Sequence, residues 1–395
     1  MNNIILKKGR EKSVANYHPW LFSGAIGKAE GKPQPGEIVR VCDREKRFLA
    51  YGYYNSKPQI QVRLLDWTEN AEIDEAWWHN KIAYSIARRR SLADDDTTDS
   101  YRLIFSESDG LPGLIVDRYA DFLVLQSLTA GIVRVKQTIV EALTEQLKPS
   151  GIYERSDADI RKIEGLASST GVLCGDKPPL PLVIAENGLK FYADITGGQK
   201  TGFYLDQRMN RLKTTGYASG LHILDCFCHT GAFSVYALRS KAKSVTMVDS
   251  SADCLELAGR NIELNNLEIG KTDLVKADVF DILRQYRDTN RRFNMIILDP
   301  PKFAKSKSQL KKALAGYKDI NMLAMSILKP GGLLATFSCS GAVDNETLKT
   351  VLFWAAVDTD KQVQIIDDFH QGPDHPRLAT FPEADYLGGF LCRIE

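Results

Sequence analysis

The stretch HILDCFCHTGAFSVYALRSKAKSVTMVD spans residues 222–249. It opens with a short β-type run, HILDCF (222–227), passes into a helical pattern at 231–240, and returns to a β-type run, SVTMVD (244–249). Two such runs joined by a helix form a parallel βαβ unit, because parallel strands need a long crossover. The same alternation continues downstream. A helical pattern runs from Ser251 to Asn265, and DLVKAD (273–278), FNMIILD (293–299) and GGLLATFSC (331–339) are separated by further helices. A helix after Asp344 leads to VQIIDDF (363–369) and GGFLCRI (388–394). The pattern predicts an α/β fold over residues 185–395, a doubly wound Rossmann-like sheet. The last two runs have no clear helix between them and predict an antiparallel hairpin on its edge.

Upstream the texture differs. PGEIVRVCD (35–43), RFLAYGYYN (47–55) and PQIQVRLLD (58–66) are short β-rich runs bounded by turn residues, so residues 1–70 predict a small β-barrel or sandwich. Residues 67–92 switch to a helical pattern that brings Trp77, Ala83, Ile86 and Arg90 near one another and leaves Arg88 and Arg89 for solvent. LPGLIVDRYA (111–120), DFLVLQSL (121–128) and GIYERSD (151–157) read as strands around a helix at 131–147, which predicts an α+β domain over 71–184. The Pro- and Gly-rich loop CGDKPPLP (174–181) closes it. At 395 residues, with 26% charged residues and a net charge of +1, the chain has room for two or three domains and no global basic field. Any nucleic acid must therefore meet local basic patches. Its start has no apolar core of signal-peptide length, and no later run approaches a membrane span, so the expected address is the cytoplasm, with no membrane partner. The seven scattered cysteines do not form a disulfide framework.

Ligands of such sheets bind beyond the carboxyl ends of the strands. There the chain places acids: Asp225 on the first strand, Asp249 on the second about two dozen positions later, and Asp278 after the third. Asp249 has the spacing at which an acid grips a ribose. The turn after Asp225 holds one glycine, Gly231, and lacks the G-x-G-x-x-G that seats a pyrophosphate. S-adenosylmethionine has a ribose and an adenine, no phosphate, and a cationic sulfonium and amine, so an acidic, glycine-poor rim suits it. Asp278 could then accept from the adenine amino group. Each acid can also cap the helix that follows; three on consecutive strand ends favour the rim. Cys226 and Cys228 lack the further ligands that a metal site needs. His229 reads as pocket lining.

The fourth strand ends in Asp299-Pro300-Pro301-Lys302, a stiff turn able to present an acid and carbonyls to a flat substrate. The fifth ends in Ser338-Cys339-Ser340, which sets a thiol on the same rim. Carbon 5 of a pyrimidine is a poor nucleophile. A thiolate adding to carbon 6 makes it an enamine that can attack a methyl group, after which a base removes the carbon-5 proton and the thiol leaves. A buried structural cysteine is the alternative.

ITGGQKTGFYLDQRMNR (195–211), DCFCHTGAFSV (225–235), LDPPKFAKS (298–306) and FSCS (337–340) resemble the RlmI/YccW-like family of S-adenosylmethionine-dependent methyltransferases of large-subunit (23S) rRNA. SESDGLPGLIVDRY (106–119) and IYERSD (152–157) resemble its middle domain, and KGREKSVANYHPWLFSGAI (8–26) its N-terminal PUA domain, a small β-barrel used on RNA. The resemblance covers nearly the whole chain. It implies a class I methyltransferase forming 5-methylcytosine, with Cys339 as nucleophile and a cofactor rim of Asp225, Asp249, Asp278 and Asp299, flanked by Phe203 and Tyr204. It also suggests a homodimer. His229-Thr230-Gly231-Ala232 departs from the Tyr and Gly-Gly of many relatives, which bears on the methionine end of the pocket. Many RNA cytosine methyltransferases carry a second cysteine where Pro300 or Pro301 stands, so the base is unassigned, with Asp299 and Glu383 as candidates.

The target base must be single-stranded or flipped to reach such a pocket. KFAKSKSQLKK (302–312) sets Lys302, Lys305 and Lys307 just past the rim, where they could hold phosphates, and Lys7, Lys8, Arg10 and Lys12 belong to the expected RNA-binding barrel. Two other readings remain at this point: a methyltransferase acting on a base nitrogen through Asp299-Pro300-Pro301 with Cys339 idle, and an RNA-binding assembly factor without turnover.

Overall fold

The computed structural model describes residues 1–198, 201–303 and 309–395. They divide into two compact units. One gathers Met1–Ala185, Ala193–Leu205 and Asp374–Ala384; the other gathers Glu186–Tyr192, Asp206–Pro373 and Asp385–Glu395.

The first unit begins with six strands: β1 (Asn2–Leu6), β2 (Trp20–Phe22), β3 (Ile26–Glu30), β4 (Glu37–Cys42), β5 (Phe48–Tyr54) and β6 (Ile60–Asp66). They form one sheet in the order β2-β6-β5-β4-β1-β3, with β1 parallel to β4 and the other pairs antiparallel. Val39 and Val41 turn inward and Arg40 outward, as the two-residue period of a strand requires. With Ile4, Leu6, Leu21, Val62 and Leu64 they close a small apolar core.

A second sheet follows, β11-β10-β9-β8-β7, from β7 (Ser100–Phe105), β8 (Leu114–Tyr119), β9 (Phe122–Ser127), β10 (Gly151–Ser156) and β11 (Ser169–Gly175). The helices Glu75–Ala87 and Lys136–Leu147 pack over it through Trp78, Ile82, Ile139 and Leu143. Asp74 starts the first of them by accepting from Trp77 N at 2.9 Å, so residues 67–73 stay outside the helix. The expectation that Arg89 faces solvent is corrected here. Its guanidinium is buried and forks onto both oxygens of Asp109 at 2.7 and 2.8 Å, a bidentate pair that compensates for its loss of water. Arg63 similarly bridges Glu107 and Glu164, at 2.9 and 3.1 Å.

β12 (Leu182–Glu186) and β13 (Leu189–Ala193) form a two-stranded sheet. The second unit is built on seven strands: β14 (His222–Cys226), β15 (Ser244–Asp249), β16 (Thr272–Lys276), β17 (Phe293–Leu298), β18 (Leu328–Ser338), β19 (Val363–His370) and β20 (Gly388–Ile394). Their order is β16-β15-β14-β17-β18-β20-β19. The first five are parallel, and β20 runs antiparallel between β18 and β19. The predicted edge hairpin is therefore present, with the later strand on its inner side. Met295 to Leu298 are buried without a break, as expected of a parallel strand covered on both faces. Leu224, Ile296, Leu298 and Leu334 pack with Leu283, Tyr317, Ile320, Leu348 and Leu352 from the helices. Strand order reverses at β14, with β15 on one side and β17 on the other. That switch point opens a crevice beyond their carboxyl ends.

Candidate active site

β14 delivers Asp225 to this crevice. Its side chain is 1% exposed. Oδ2 accepts from Ser234 Oγ at 2.6 Å, while Oδ1 is buried without a hydrogen-bond partner. Burial pushes the carboxyl up to about 7; the Ser234 bond pulls it back, and the Asp299 and Asp249 carboxylates add repulsion. Three acids from β14, β15 and β17 thus share one electrostatic neighbourhood. A buried acid oxygen without a partner from the protein is costly, and a cationic ligand would relieve that cost.

The turn after β14 is built from left-handed residues: Phe227, His229 and Gly231 have φ of +59°, +50° and +73°. Two of the three are not glycine, so the loop holds strain of the kind found at functional sites. Gly231 is required twice over. A Cβ there would sit 2.8 Å from Ala258 Cβ and 3.2 Å from Met247 Sδ, and its φ disfavours any side chain. Asp249 braces this turn, taking the His229 N–H on Oδ2 and the Ser251 N–H on Oδ1, both at 2.9 Å. It does not cap the next helix; Ser251 does so, accepting from Cys254 N. Asp278 is different. It is exposed, and its Oδ1 caps the helix Val279–Asp288 through Phe280 N at 2.8 Å and Asp281 N at 3.2 Å.

The parallel register aligns Leu298 with Thr336, so the ends of β17 and β18 lie side by side. Cys339 is half-buried just past β18, and its thiol points to the Asp299-Pro300 turn, with Sγ 3.9 Å from the Pro300 carbonyl oxygen. The flanking serines are buried and structural: Ser338 Oγ donates to Val343 O at 3.3 Å and accepts from Ser340 N at 3.4 Å, and Ser340 Oγ accepts from Ala342 N. Small hydroxyl residues on both sides of the cysteine thus tie the turn without crowding the thiol. Asp299 is half-buried and accepts from Gln207 Nε2 at 3.0 Å. Asn210 Nδ2 donates to Gln207 Oε1 at 2.7 Å, which orients the glutamine amide. Tyr317 is fully buried below, and burial pushes its hydroxyl up; Ser338, Cys339 and Asp299 contribute to its surroundings. Burial and the Asp225 charge push the Cys226 and Cys228 thiols well up, so neither supplies a thiolate.

Residues 4–67 match the family model of a PUA-like domain, and residues 167–378 that of an S-adenosylmethionine-dependent methyltransferase. Proteins named ribosomal RNA large subunit methyltransferase I are similar along their whole length. That of Erwinia tasmaniensis is 47% identical over 391 residues, covering 99% of both chains, and that of Klebsiella pneumoniae strain 342 is 46% identical, covering 99% of this chain and 98% of its own. This chain belongs to that family. A candidate SAM-dependent methyltransferase from Streptococcus mutans shares the fold with a TM-score of 0.85 at 22% identity, and a solved chain complexed with SAH does so with 0.87 at 22%, each covering both chains completely. The family's cofactor is S-adenosylmethionine. The unpaired, buried Oδ1 of Asp225 beside two further acids fits a cationic ligand that carries no phosphate.

The other residues expected at the site lie as follows. Phe203 belongs to the first unit, where it is buried and its N–H donates to Tyr119 Oη at 3.2 Å; Tyr204 beside it is half-buried. Glu383 belongs to the same unit and faces His18 Nε2 at 3.4 Å. Lys302 is exposed past the double proline, and Arg10 is exposed past β1. Lys305 and Lys307 lie outside the described residues. Sequence reasoning did not single out Gln207, Ser234 or Tyr317. Gln207 and Ser234 lie inside the quoted motifs FYLDQRMNR and DCFCHTGAFSV, which were the available signal; Tyr317 occupies a helix where its type carries no pattern. No helix among the described residues is long and apolar enough to cross a membrane.

Proposed function

We propose that this chain methylates carbon 5 of a cytosine in large-subunit rRNA through a transient bond between Cys339 and the base. The observation that carries the reading is the half-buried thiol at the end of β18, turned toward the Asp299-Pro300 turn at the rim of the acidic crevice. The full-length likeness to rRNA methyltransferases supports the substrate class.

When bound, S-adenosylmethionine supplies an electrophilic methyl group. Asp225 would hold its ammonium, Asp249 its ribose, and Asp278 its adenine. Gly231 and Asp299 would complete its walls. The Cys339 thiolate forms a bond to carbon 6 and moves the ring's π pair onto carbon 5, which makes that carbon a nucleophile. Once carbon 5 is methylated, its proton leaves to a base, the π bond re-forms, and the Cys339–carbon bond breaks. Asp299, held by Gln207, would orient the base. Lys302, Lys305, Lys307 and Arg10 would contact phosphates. Under this reading residues 1–70 bind RNA, residues 71–184 form the middle domain, the target base is flipped or unpaired, residues 185–395 perform the chemistry, and the assembly is a homodimer, which sedimentation tests.

The chemistry is tested by transfer of tritiated methyl groups to unmodified rRNA, followed by nucleoside analysis. 5-Methylcytosine is expected, and Cys339→Ala should lower the rate by about a thousand-fold or more. An RNA carrying 5-fluorocytosine should trap the chain covalently, since fluorine replaces the departing proton. Nitrogen methylation that survives Cys339→Ala would overturn the reading.

A further inference from the structure

The segment between β1 and β2 carries chemistry that its small core does not require. Lys7, Lys8, Arg10 and Lys12 are all exposed, and Glu11 is the one acid between residues 7 and 18. Lys7 Nζ reaches the Gly24 carbonyl at 3.1 Å, while Lys8, Arg10 and Lys12 extend along the same short stretch. One helical turn, Lys12–Ala15, follows and closes on Tyr17, whose N–H donates to Val14 O at 3.0 Å.

Tyr17 is anomalous in two independent ways. Its backbone is left-handed, with φ +59°, a conformation that favours glycine or asparagine after a helix. Its side chain is 59% exposed, so burial does not explain why a large aromatic occupies a strained position. The ring is nevertheless fixed. It lies against Trp67, with centroids 5.4 Å apart and planes tilted by 46°, and the Trp67 indole N–H donates to Val14 O at 2.9 Å. The same turn therefore anchors both rings, and Tyr17 is exposed on a fixed backing within a segment that carries several exposed cations.

We propose that Tyr17, backed by Trp67, is a stacking platform for one unpaired base of the RNA substrate, with Lys8, Arg10 and Lys12 on the flanking phosphates. A ring offered beside cations suits single-stranded RNA, whose base faces are accessible, and not a duplex, whose faces are covered. The inference rests on the reading that the chain acts on RNA, and adds to it a second grip on the strand, carried by the PUA-like domain.

The test is binding of the full-length chain to a fluorescent single-stranded RNA and to a matched duplex over a range of salt concentrations. Tyr17→Ala should weaken single-strand binding about ten-fold and leave duplex binding unchanged, while Tyr17→Phe should bind as the parent does. The Lys8→Ala/Arg10→Ala double variant should flatten the dependence of log affinity on log salt by about 1.4. Melting temperature and far-ultraviolet circular dichroism report that each variant is folded. Parental single-strand binding by Tyr17→Ala, equal losses on both RNAs, or a Tyr17→Leu variant as good as Tyr17→Phe would each overturn the proposal. If the parent methylates rRNA and Tyr17→Ala binds normally, only the platform fails. If the parent methylates no rRNA yet binds single strands through Tyr17, only the reading of the reaction fails.

Discussion

Asp117 in the first unit and Asp225 in the second are both buried acids on β-strands, and they are treated in opposite ways. Asp117 is fully covered. Arg102 forks onto its two oxygens at 2.7 and 2.8 Å, and Thr201 Oγ1 adds a third bond at 2.6 Å. Asp225 has one bond, from Ser234, and an oxygen that nothing in the described protein satisfies. A closed pair like the first is a structural device, since its charges are answered inside the fold. An acid left half-answered at a topological switch point is unfinished until a cation arrives. The difference separates architecture from chemistry without any appeal to where the acids fall in the sequence.

The contrast can be broken most severely on its closed side. Arg102→Met leaves Asp117 buried without its counter-ion and should cost about 3–5 kcal/mol in denaturant unfolding. On the open side, if Asp225 holds the ammonium as proposed, Asp225→Asn should weaken S-adenosylmethionine binding about 10- to 100-fold by calorimetry, since it removes a charge. The same substitution should not destabilise the free protein at pH 8. The folded Asp225 carboxyl lies at about 7 against an ordinary 3.8, so the native state holds that proton more tightly than the unfolded chain. Its contribution to stability is complete below about pH 4 and is lost as the pH climbs through 7. Thermal melts of the free parent should therefore fall across that window more than those of Asp225→Asn; parallel curves would show that Asp225 is already answered by a partner.

Smaller changes sharpen the comparison. Gln207→Leu removes the donor that orients Asp299 and should lower kcat about ten-fold with little change in the KM for the cofactor. A KM effect alone would make Gln207 a binding residue. Asp278→Ala loses a helix cap and should cost about 1 kcal/mol of stability. Its effect on cofactor affinity, measured in the same titration as Asp225→Asn, tells whether the exposed acid has any role beyond the cap.

Much of the second unit was legible because its central strands are buried on both faces and read as nearly unbroken apolar runs that end abruptly at an acid or a cysteine. β17 and the end of β18 are of this kind. β11 was missed because it is an edge strand, largely uncovered and flanked by glycine, so its apolar residues do not accumulate. Arg89 was misjudged because its partner, Asp109, stands twenty positions away and leaves no periodic trace. Residues 374–384 could not be assigned from pattern either. They follow a strand of the seven-stranded sheet but belong to the first unit, where Phe381 packs 4.7 Å from Trp20. Gln207 escaped notice because a lone amide has no signature until an acid is found within its reach.

The sequence by itself determined the order of strands and helices and the kinds of side chain that end each strand, because periodicity and turn chemistry are local properties of a chain. The tertiary structure decided which of those ends converge and what state they are held in. Asp225, Asp249 and Asp278 look alike in a row of letters; in space one is buried and unpaired, one braces a strained turn, and one is an exposed cap. Charge and solvation depend on neighbours in three dimensions, and those neighbours come from strands that are distant in the chain.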